Sequence, residues 1–401
     1  MEFPYPSVII ENGSSRTRAG YSNEDYPSVI FSSNYAQNSK TGKTFIGDDI
    51  FLKNLDFNYE NLEIYTLSDD NGLIYNWDHL AQNWEYIYRN LNIEDSKDYP
   101  LIITEQVWNS FKNKKKYCQL AFEQFEVPIF SIFKKPLCNL FGLGKSTGLI
   151  IDIGSSITNI NPILDGTILF KGSVHSKIAG NYIDLHILNY LKKNHYHNDL
   201  GSIVPKNLIG LPSNKYTESF KNTLITNDLI FNFKKLILSA NLDKISNKLN
   251  LKQNFNKPKK NYMLPDNRII EINEEQVELV EPLFHPKPYT NSILSYLSND
   301  NSDSLRNIEV AKEIYQQLLK NIVVVGGSSL IENMEERIKN ELRLTLSNFE
   351  IETYSPQDTI ERENSSWIGA SILASMNNFD SFISKQEYEE LGEDLIVERF
   401  K

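Results

Sequence analysis

The stretch Val8-Ile9-Ile10-Glu11-Asn12-Gly13-Ser14-Ser15 recurs as Leu149-Ile150-Ile151-Asp152-Ile153-Gly154-Ser155-Ser156. Each copy has three apolar residues, an acid, one variable residue, a glycine and two serines. The offset from Glu11 to Asp152 is 141 residues (152 − 11), about the length of one domain. Each copy leads into a second strand-like run. The repeat therefore predicts two β-hairpins, one per domain, in which an acid ends the first strand and glycine and serine form the turn.

A turn of this composition is suited to an anion, because it presents backbone N–H groups and hydroxyls without bulky side chains. One such hairpin on its own is weak evidence, since an ordinary turn has the same composition. Two copies one domain apart are stronger evidence, and Gly326-Gly327 adds a third glycine turn. Facing hairpins would hold the phosphates of a nucleotide between two domains. Their acids, Glu11 and Asp152, could then bind the waters around a magnesium ion from two sides.

The rest of the chain predicts alternating strands and helices. Leu80, Trp84 and Ile87 share one helical face, and Asn76 supplies a helix start. Further strands are predicted at 100–104, 127–133 and 321–325, and further helices at 179–191 and after residue 331. This alternation in two similar halves indicates an α/β protein. Two polar stretches rich in Asn and Lys, 34–43 and 247–261, are predicted to be irregular surface loops or partly disordered segments.

Composition narrows the class of protein. The 401 residues are enough for two or more domains, and 40% hydrophobic with 23% charged residues is ordinary for a folded protein. The net charge of −11 argues against strong direct binding to nucleic acid. No apolar run reaches the length of a membrane span, and Cys118 and Cys138 are too few for a disulfide framework. Two lysine clusters, 112–116 and 257–260, favour solvated surface turns over nuclear import signals.

The motifs resemble those of the actin family from one end of the chain to the other, apart from 34–43 and parts of 200–320. Residues 8–21 and 149–162 are similar to its two phosphate loops, and 321–329 (NIVVVGGSS) to its adenosine-side glycine turn. The stretches 361–376 (ERENSSWIGASILASM) and 383–390 (ISKQEYEE) are also actin signatures. The resemblance implies an actin-like, duplicated ribonuclease-H-like fold with a nucleotide cleft between two major domains. Residues 1–140 with 367–401 would form subdomains one and two (two at about 31–66), and 141–366 subdomains three and four (four at about 181–265).

By the same resemblance, the cleft would be formed by the residues that match the family's loops. Arg18 replaces a phosphate-binding lysine, and Asn159 stands in place of a histidine of the catalytic site. Lys135 occupies the position of a glutamine that orients the attacking water, and lysine cannot accept a proton from that water. Glu363 replaces a lysine near the adenine. The candidate residues for ATP or ADP, with or without magnesium, are Glu11, Gly13, Ser14, Ser15, Arg18, Asp152, Gly154, Ser155, Ser156, Gly326 and Gly327.

These departures imply a chain that is not an enzyme, with no catalytic residue assigned. Ser155 and Ser156 stand where the family has Asp and Gly, so the acid that contacts the ribose is absent. Weak nucleotide binding and an empty cleft both remain open. No metal site is predicted elsewhere, because His195 and His197 have no Cys or carboxylate cluster beside them. The short segment 34–44, which matches a loop that makes filament contacts, implies a protein that does not polymerise.

Residues 8–23, 64–78 (IYTLSDDNGLIYNWD) and 150–156 resemble the nuclear actin-related protein seven subfamily of fungal SWI/SNF and RSC chromatin remodellers. That resemblance implies a nuclear scaffold subunit that pairs with a second actin-related protein. The pair would bind the helicase/SANT-associated helix of the remodeller's ATPase subunit, in a groove between subdomains one and three. The groove residues would be Phe141, Gly144, Leu373, Met376 and Phe379, with core packing as the alternative. Rival interpretations are a dynactin cap, a subunit of another chromatin complex, and a weak actin-type ATPase.

Overall fold

A computed structural model describes residues 5–50, 59–196, 203–242, 258–286, 309–376, 382–392 and 394–400 of the chain. The predicted α/β architecture is confirmed. Within these residues the strands are β1 (Val8–Asn12), β2 (Arg16–Tyr21), β3 (Val29–Ser32), β4 (Tyr35–Asn38), β5 (Thr44–Ile46), β6 (Leu62–Tyr65), β7 (Leu101–Glu105), β8 (Ile129–Lys134), β9 (Gly148–Ile153), β10 (Thr158–Leu164), β11 (Thr167–Ile168), β12 (Val174–Ser176), β13 (Lys260–Met263), β14 (Ile269–Ile272), β15 (Ile322–Val325), β16 (Thr353–Tyr354) and β17 (Phe382–Ser384).

The helices lie between these strands as the sequence predicts. The described α-helices are α1 (Trp77–Asn90), α2 (Phe111–Gln119), α3 (Lys135–Gly142), α4 (Gly180–His195), α5 (Glu218–Leu224), α6 (Phe231–Ile237), α7 (Glu275–Glu278), α8 (Glu309–Leu319), α9 (Met334–Thr345), α10 (Thr359–Ala374), α11 (Lys385–Leu391) and α12 (Asp394–Arg399). The predicted start of α1 is confirmed, because the Asn76 side chain accepts a hydrogen bond from the backbone N–H of His79. None of the helices in the described ranges has the length and apolarity needed to span a bilayer.

Two large sheets repeat the same arrangement of strands. The first has the order β17-β8-β7-β1-β2-β3, and the second has β11-β10-β9-β15-β16 with β12 also paired to β10. In each, the hairpin's first strand pairs antiparallel with the next strand and parallel with a later one. The registers match as well: Glu11 lies opposite Arg18, and Asp152 lies opposite Asn159, both shifted by 141 residues. The two copies of the sequence repeat therefore have the same pattern of strand pairing.

The apolar runs that begin each hairpin are buried on both faces of their sheets. Val8 and Ile10 belong to one core cluster, and Ile9, between them, belongs to another. In the second sheet, Ile151 and Ile150 are divided between two clusters in the same way. A strand covered by helices on both sides needs an unbroken apolar run rather than alternation. This requirement explains the sequence pattern that opens each copy.

The two lobes are joined at the centre by the crossing of α3 and α10. A Cβ at Gly369 of α10 would lie 1.8 Å from the carbonyl oxygen of Cys138 in α3, and one at Gly142 would lie 3.2 Å from the Gly369 Cα. Only glycine permits this approach of two backbones. Trp367, which is fully buried, donates from Nε1 to the carbonyl of Ile9 at 3.2 Å. The crossing is thereby fixed to the strand that carries Glu11.

The prediction of an irregular loop at 34–43 is wrong. This segment contains β4, the central strand of a three-stranded sheet with the order β5-β4-β6. Tyr35 and Ala36 are buried, and the polar residues that follow are hydrogen-bonded within the turn to β5. Polar composition concealed the strand because only its first two residues face a core. The other predicted loop lies outside the described residues up to 257, and β13 begins at Lys260.

A second junction between the lobes lies at the outer end of the cleft, and we call it the outer seam. It is the core cluster of Ala36, Ile50, Leu62, Leu208, Phe220 and Leu224, whose first three members belong to the β4 region and last three to the α5 region. Tyr59 stacks on Phe220 with ring centroids 4.6 Å apart. The backbone N–H of Ile64 donates to Ser219 Oγ at 3.0 Å, and Thr217 donates to the Leu62 carbonyl. The seam is thus both apolar and hydrogen-bonded.

The lysine cluster at 112–116 forms a helix, so the prediction of a solvated turn is wrong. Lys114 is 3% exposed, and its Nζ lies 3.5 Å from Oε1 of the buried Glu105. The same carboxylate also pairs with Lys134, and Lys114 donates to the carbonyl of Phe400. The buried cation therefore connects β7, α2 and the residues after α12. Burial lowers the pKa of Lys114, and the Glu105 carboxylate opposes that shift.

Candidate nucleotide cleft

The predicted cleft residues surround one cavity of about 420 Å³ between the two large sheets. That volume is within the range of small-molecule sites, about 300–1,000 Å³. The cavity is also lined by Lys135, Asn159 and Glu363, the residues that replace a glutamine, a histidine and a lysine of the family pattern. Ser156 is not part of this lining. The predicted residues that line the cavity are Glu11, Gly13, Ser14, Ser15, Arg18, Asp152, Gly154, Ser155, Gly326 and Gly327.

The two hairpin turns have the same geometry. The Gly13 N–H donates to the Arg16 carbonyl at 3.1 Å, and the Gly154 N–H donates to the Ile157 carbonyl at 3.0 Å. A Cβ at Gly13 would lie 2.7 Å from that carbonyl oxygen of Arg16, and one at Gly154 would lie 2.9 Å from that of Ile157. The tightness of each turn thus requires glycine. This explains why glycine occupies the same place in both copies.

The third glycine turn is packed against the second hairpin. Gly326 has a φ of +90°, and a Cβ there would lie 2.3 Å from Oδ1 of Asp152. Ser328 Oγ and the Gly180 N–H both donate to the Gly154 carbonyl, at 2.9 and 3.0 Å. The turn that contains Gly326 therefore contacts the second hairpin through Asp152, Ile153 and the Ser328 hydrogen bond.

Lys135, the first residue of α3, is paired with the acid of the first hairpin. Its Nζ lies 3.3 Å from Glu11 Oε1 and donates to the Asn12 carbonyl at 3.5 Å. Ser366 Oγ donates to the other oxygen of Glu11 at 2.5 Å. Burial alone would raise the pKa of Glu11, but the charges of Lys135 and Arg18 and the Ser366 hydrogen bond lower it overall. Glu11 is consequently a carboxylate whose oxygens are both engaged.

The acid of the second hairpin has the opposite shift. Burial raises the pKa of Asp152, although the Lys135 charge and a hydrogen bond from Asn159 counteract it. Asn159 Nδ2 donates to Asp152 Oδ2 at 3.2 Å, and Asn161 Nδ2 donates to Asn159 Oδ1 at 2.7 Å. An amide held in this way supplies a hydrogen bond to the acid and has no basic nitrogen. The arrangement gives Asn159 a positioning role rather than a proton-transfer role.

Arg18 is held by residues of α10. Its Nη2 lies 3.4 Å from Glu363 Oε1, and its Nε donates to Asn364 Oδ1 at 2.5 Å. Glu363 also pairs with Arg16, whose Nη1 lies 3.5 Å away and whose guanidinium lies 4.9 Å from the ring centroid of Phe231 in α6. The basic group at the phosphate-binding position is therefore already paired. Sequence reasoning singled out neither Arg16 nor Phe231, because nothing local distinguishes a cation–π contact between residues so far apart in the chain.

The serines of the second hairpin are linked to α4. Ser155 Oγ donates to Asn181 Oδ1 at 2.7 Å, and Asn181 Nδ2 donates to Ser156 Oγ at 3.1 Å. Ser155 lines the cavity, whereas Ser156 does not. In the first hairpin Ser14 and Ser15 line the cavity.

A magnesium ion does not suit the acids that are present. Glu11 and Asp152 are the two carboxylates at the hairpin ends, and both are within the electrostatic influence of Lys135. A divalent cation that reached them would be repelled by that ammonium. Among the residues that the structure describes, no group of three or more His, Cys, Asp or Glu side chains is placed to hold a metal ion. The backbone N–H groups of the turns remain suited to an anion.

The residues predicted to line the partner groove lie at or just beyond the C-terminal ends of α3 and α10. Met376 is 51% exposed, and Gly144 has a φ of +67° with open space around it. Phe141 is partly buried against the cluster that contains Trp367. Leu373 is 4% exposed and belongs to that same cluster, so the core-packing alternative is the one that the structure supports for it. Phe379 lies outside the described residues.

Two lobes with hairpins in the same register, facing one cavity and joined by a close crossing of two helices, define the actin-type class of two-lobed cleft proteins. The family profile described as "Actin" matches residues 4–401. The chain therefore belongs to the actin family, and the fold and family inferred from its motifs are confirmed.

Among known proteins the chain is similar to actin-related proteins of fungi. It is 28% identical to Actin-related protein 4 of Yarrowia lipolytica, with 98% of this chain and 96% of that protein covered. It is 28% identical to the SWI/SNF and RSC complexes subunit arp42 of Schizosaccharomyces pombe, with 98% of each covered. It is 27% identical to Actin-related protein 7 of Saccharomyces cerevisiae, with 96% of each covered. The resemblance to fungal actin-related proteins is thus confirmed over 96–98% of the chain.

Proposed function

We propose that this chain is a non-filament, structural subunit of a nuclear, ATP-dependent chromatin-remodelling complex of the SWI/SNF or RSC type. The observation that carries the proposal is its similarity, over nearly its whole length, to actin-related proteins. One of these is named as a subunit of SWI/SNF and RSC. In this role the chain pairs with a second actin-related protein and binds the helicase/SANT-associated helix of the ATPase subunit. The complex, rather than this acidic chain, supplies the surface that binds DNA.

The geometry of the cleft supports a structural rather than an enzymatic role. Hydrolysis requires a group that orients water, and the residue at that position, Lys135, donates to Glu11 and to the Asn12 carbonyl. Asn159 is hydrogen-bonded on both sides of its amide. We propose that ATP or ADP binds weakly, in contact with the turn N–H groups, and is not hydrolysed. A phosphate-release assay on the purified chain should give no release above the buffer blank, and release at the rate of actin would contradict this.

The groove at the ends of α3 and α10 supports the choice of a helix as partner. Half-exposed Met376 and partly exposed Ile372 supply apolar surface at the end of α10, and Gly144, just beyond α3, has open space around it. The C-terminal ends of two helices also carry partial negative charge, which favours basic side chains on what binds there. An amphipathic helix with an apolar stripe and flanking Lys or Arg residues has this combination.

The test is affinity purification of the tagged full chain from its own cells, followed by mass spectrometry of the co-purifying proteins. A remodelling ATPase and a second actin-related protein are the expected result. Recovery of dynactin subunits, or of another chromatin complex, would contradict the proposed complex but not the membership of the actin family. Imaging the same tagged chain should show it in the nucleus.

A further inference from the structure

The position of Lys135 raises the question of which cation balances the acids of the cleft. Lys135 Nζ lies 3.3 Å from Glu11 and 3.5 Å from the Asn12 carbonyl at the end of the first hairpin strand. The charge of Lys135 also acts on Asp152 of the second hairpin. A single ammonium group is thus paired with the acid of the first hairpin, and its charge lowers the pKa of the acid of the second. Its 7% exposed side chain, anchored at the start of α3, has little freedom to move away.

The chain itself supplies hydrogen-bond donors to the second oxygen of Glu11 and to one oxygen of Asp152. Ser366 donates to the second oxygen of Glu11, and Asn159 donates to Asp152. A divalent ion would have to displace the Ser366 donor to reach both oxygens of Glu11 and would be repelled by the ammonium charge. The ammonium group of Lys135 thus supplies the positive charge beside the acids.

Other positive groups remain at the cavity wall for an anionic ligand. Lys234 and Lys235 of α6 line the cavity together with Arg16. Lys234 lies 2.8 Å from Asp184, whereas Lys235 is exposed and has no ion pair within the described part of the chain. These groups and the turn N–H groups around Gly13 and Gly154 suit phosphate oxygens.

We propose that the ammonium group of Lys135 takes the place of the divalent cation, so that a nucleoside diphosphate or triphosphate binds in the cleft without a metal ion. The inference rests on the weak binding of ATP or ADP proposed above. It goes beyond that binding by fixing the form of the ligand as the free nucleotide rather than its magnesium complex.

The experiment is calorimetric titration of the full chain with ADP and with ATP, once in excess EDTA and once in excess Mg²⁺. The expected result is an affinity in EDTA equal to or greater than that in Mg²⁺. Binding seen only with Mg²⁺ would overturn this inference and leave the proposed nucleotide binding in place. The absence of binding in both buffers would overturn both.

A substitution separates the role of Lys135 from general charge effects. In Lys135→Gln the acids lose their cation, and the affinity for ADP should become metal-dependent, higher by about tenfold in Mg²⁺ than in EDTA. Lys235→Gln should weaken binding equally in the two buffers, because this lysine contacts neither acid. Lys171→Gln, an exposed lysine outside the cavity, should leave both affinities unchanged. If Lys135→Gln does not fold, the comparison of EDTA with Mg²⁺ on the native chain still decides the question.

Discussion

The Nζ atom of Lys135 and the Oε1 atom of Glu11 are 3.3 Å apart, and neither side chain exposes more than 8% of its surface. This ion pair connects the first hairpin to the start of α3, the helix that crosses into the other lobe. A buried pair of this kind contributes modestly as a whole, but the loss of one partner leaves an uncompensated charge in the interior. Predictions about stability and pH follow from this asymmetry.

Replacing Glu11 by Gln should destabilise the chain by about 3 kcal/mol at pH 7, because Lys135 is left buried without its partner. The pKa of Glu11 is lowered in the folded chain from an ordinary value of 4.5. The contribution of the ionised acid is therefore fully present above pH 4.5 and is lost as the pH falls through the lowered folded pKa. Urea unfolding of the native chain and Glu11→Gln at several pH values measures this, and a deficit that is constant with pH would contradict it.

Asp152→Asn is the matched comparison at the equivalent position of the repeat, and its effect should have the opposite sign. Because burial raises the pKa of Asp152 in the folded chain, ionising it at neutral pH costs stability. That cost disappears as the pH falls through the raised folded pKa to the ordinary value of 3.8. Asp152→Asn should accordingly unfold at a higher urea concentration than the native chain at pH 7. A loss of stability at pH 7 would show that the carboxylate is stabilising as an ion.

Gly369→Ala should be among the most disruptive single-methyl substitutions in the chain. The new Cβ would lie 1.8 Å from the Cys138 carbonyl oxygen, so α3 and α10 would have to separate. Overpacking of this kind costs typically about 1–3 kcal/mol, and here the obstacle is backbone, which gives way least. Gly327→Ala is the control, since its Cβ would meet only Glu363 Cγ, at 3.9 Å. Thermal unfolding should show a large decrease for the first and a small change for the second; equal changes would refute the argument.

Phe220→Ala should open the outer seam. Phe220 is 2% exposed and stacks on Tyr59, so its truncation leaves a cavity that costs about 3–5 kcal/mol. Because the seam holds β4 against α5, amide hydrogen exchange should rise first in 35–38. Phe170→Ala removes a phenylalanine that is 55% exposed and should change neither quantity. Unchanged exchange in 35–38 after Phe220→Ala would mean that the seam does not hold β4.

Met376→Asp should weaken capture of the partner helix without affecting the fold. Met376 is 51% exposed at the end of α10, so a charge there stays solvated in the free chain but is buried when an apolar helix face covers it. Met263→Asp replaces a methionine of similar exposure, 59%, on the distant hairpin of β13 and β14. In pulldowns with the ATPase subunit, only the first substitution should reduce recovery. Equal recovery of the two variants would remove Met376 from the groove.

The two hairpins, and the cavity that they face, could be predicted because the sequence motif of each hairpin is local and occurs twice. An acid, a glycine and two serines in the same order at two places predict two turns of one geometry, and Gly13 and Gly154 have that geometry. The cavity between them then follows from the duplication, without knowledge of any distant contact.

The pairing of charges inside the cleft could not be predicted in the same way. Arg18 and Glu363 are 345 residues apart, and nothing near either residue specifies the other. The sequence placed Lys135 in the cleft but gave no sign that it would pair with Glu11. The burial of Lys114 could not be predicted for a related reason. A lysine in a run of basic residues is expected at the surface, and Glu105, which pairs with it in the interior, lies outside that run. Such contacts depend on how helices pack rather than on local pattern.

The outer seam and the crossing at Gly369 fasten the two lobes at two separated places. Two separated junctions leave the lobes a rotation about the line that joins them, whereas opening of the cleft would require one junction to break. Tension applied to a helix held at the ends of α3 and α10 would consequently pass through the whole molecule to β4 and α5 instead of being absorbed by opening the lobes. If the chain is the structural subunit proposed above, it would transmit such a force between its lobes without opening the cleft.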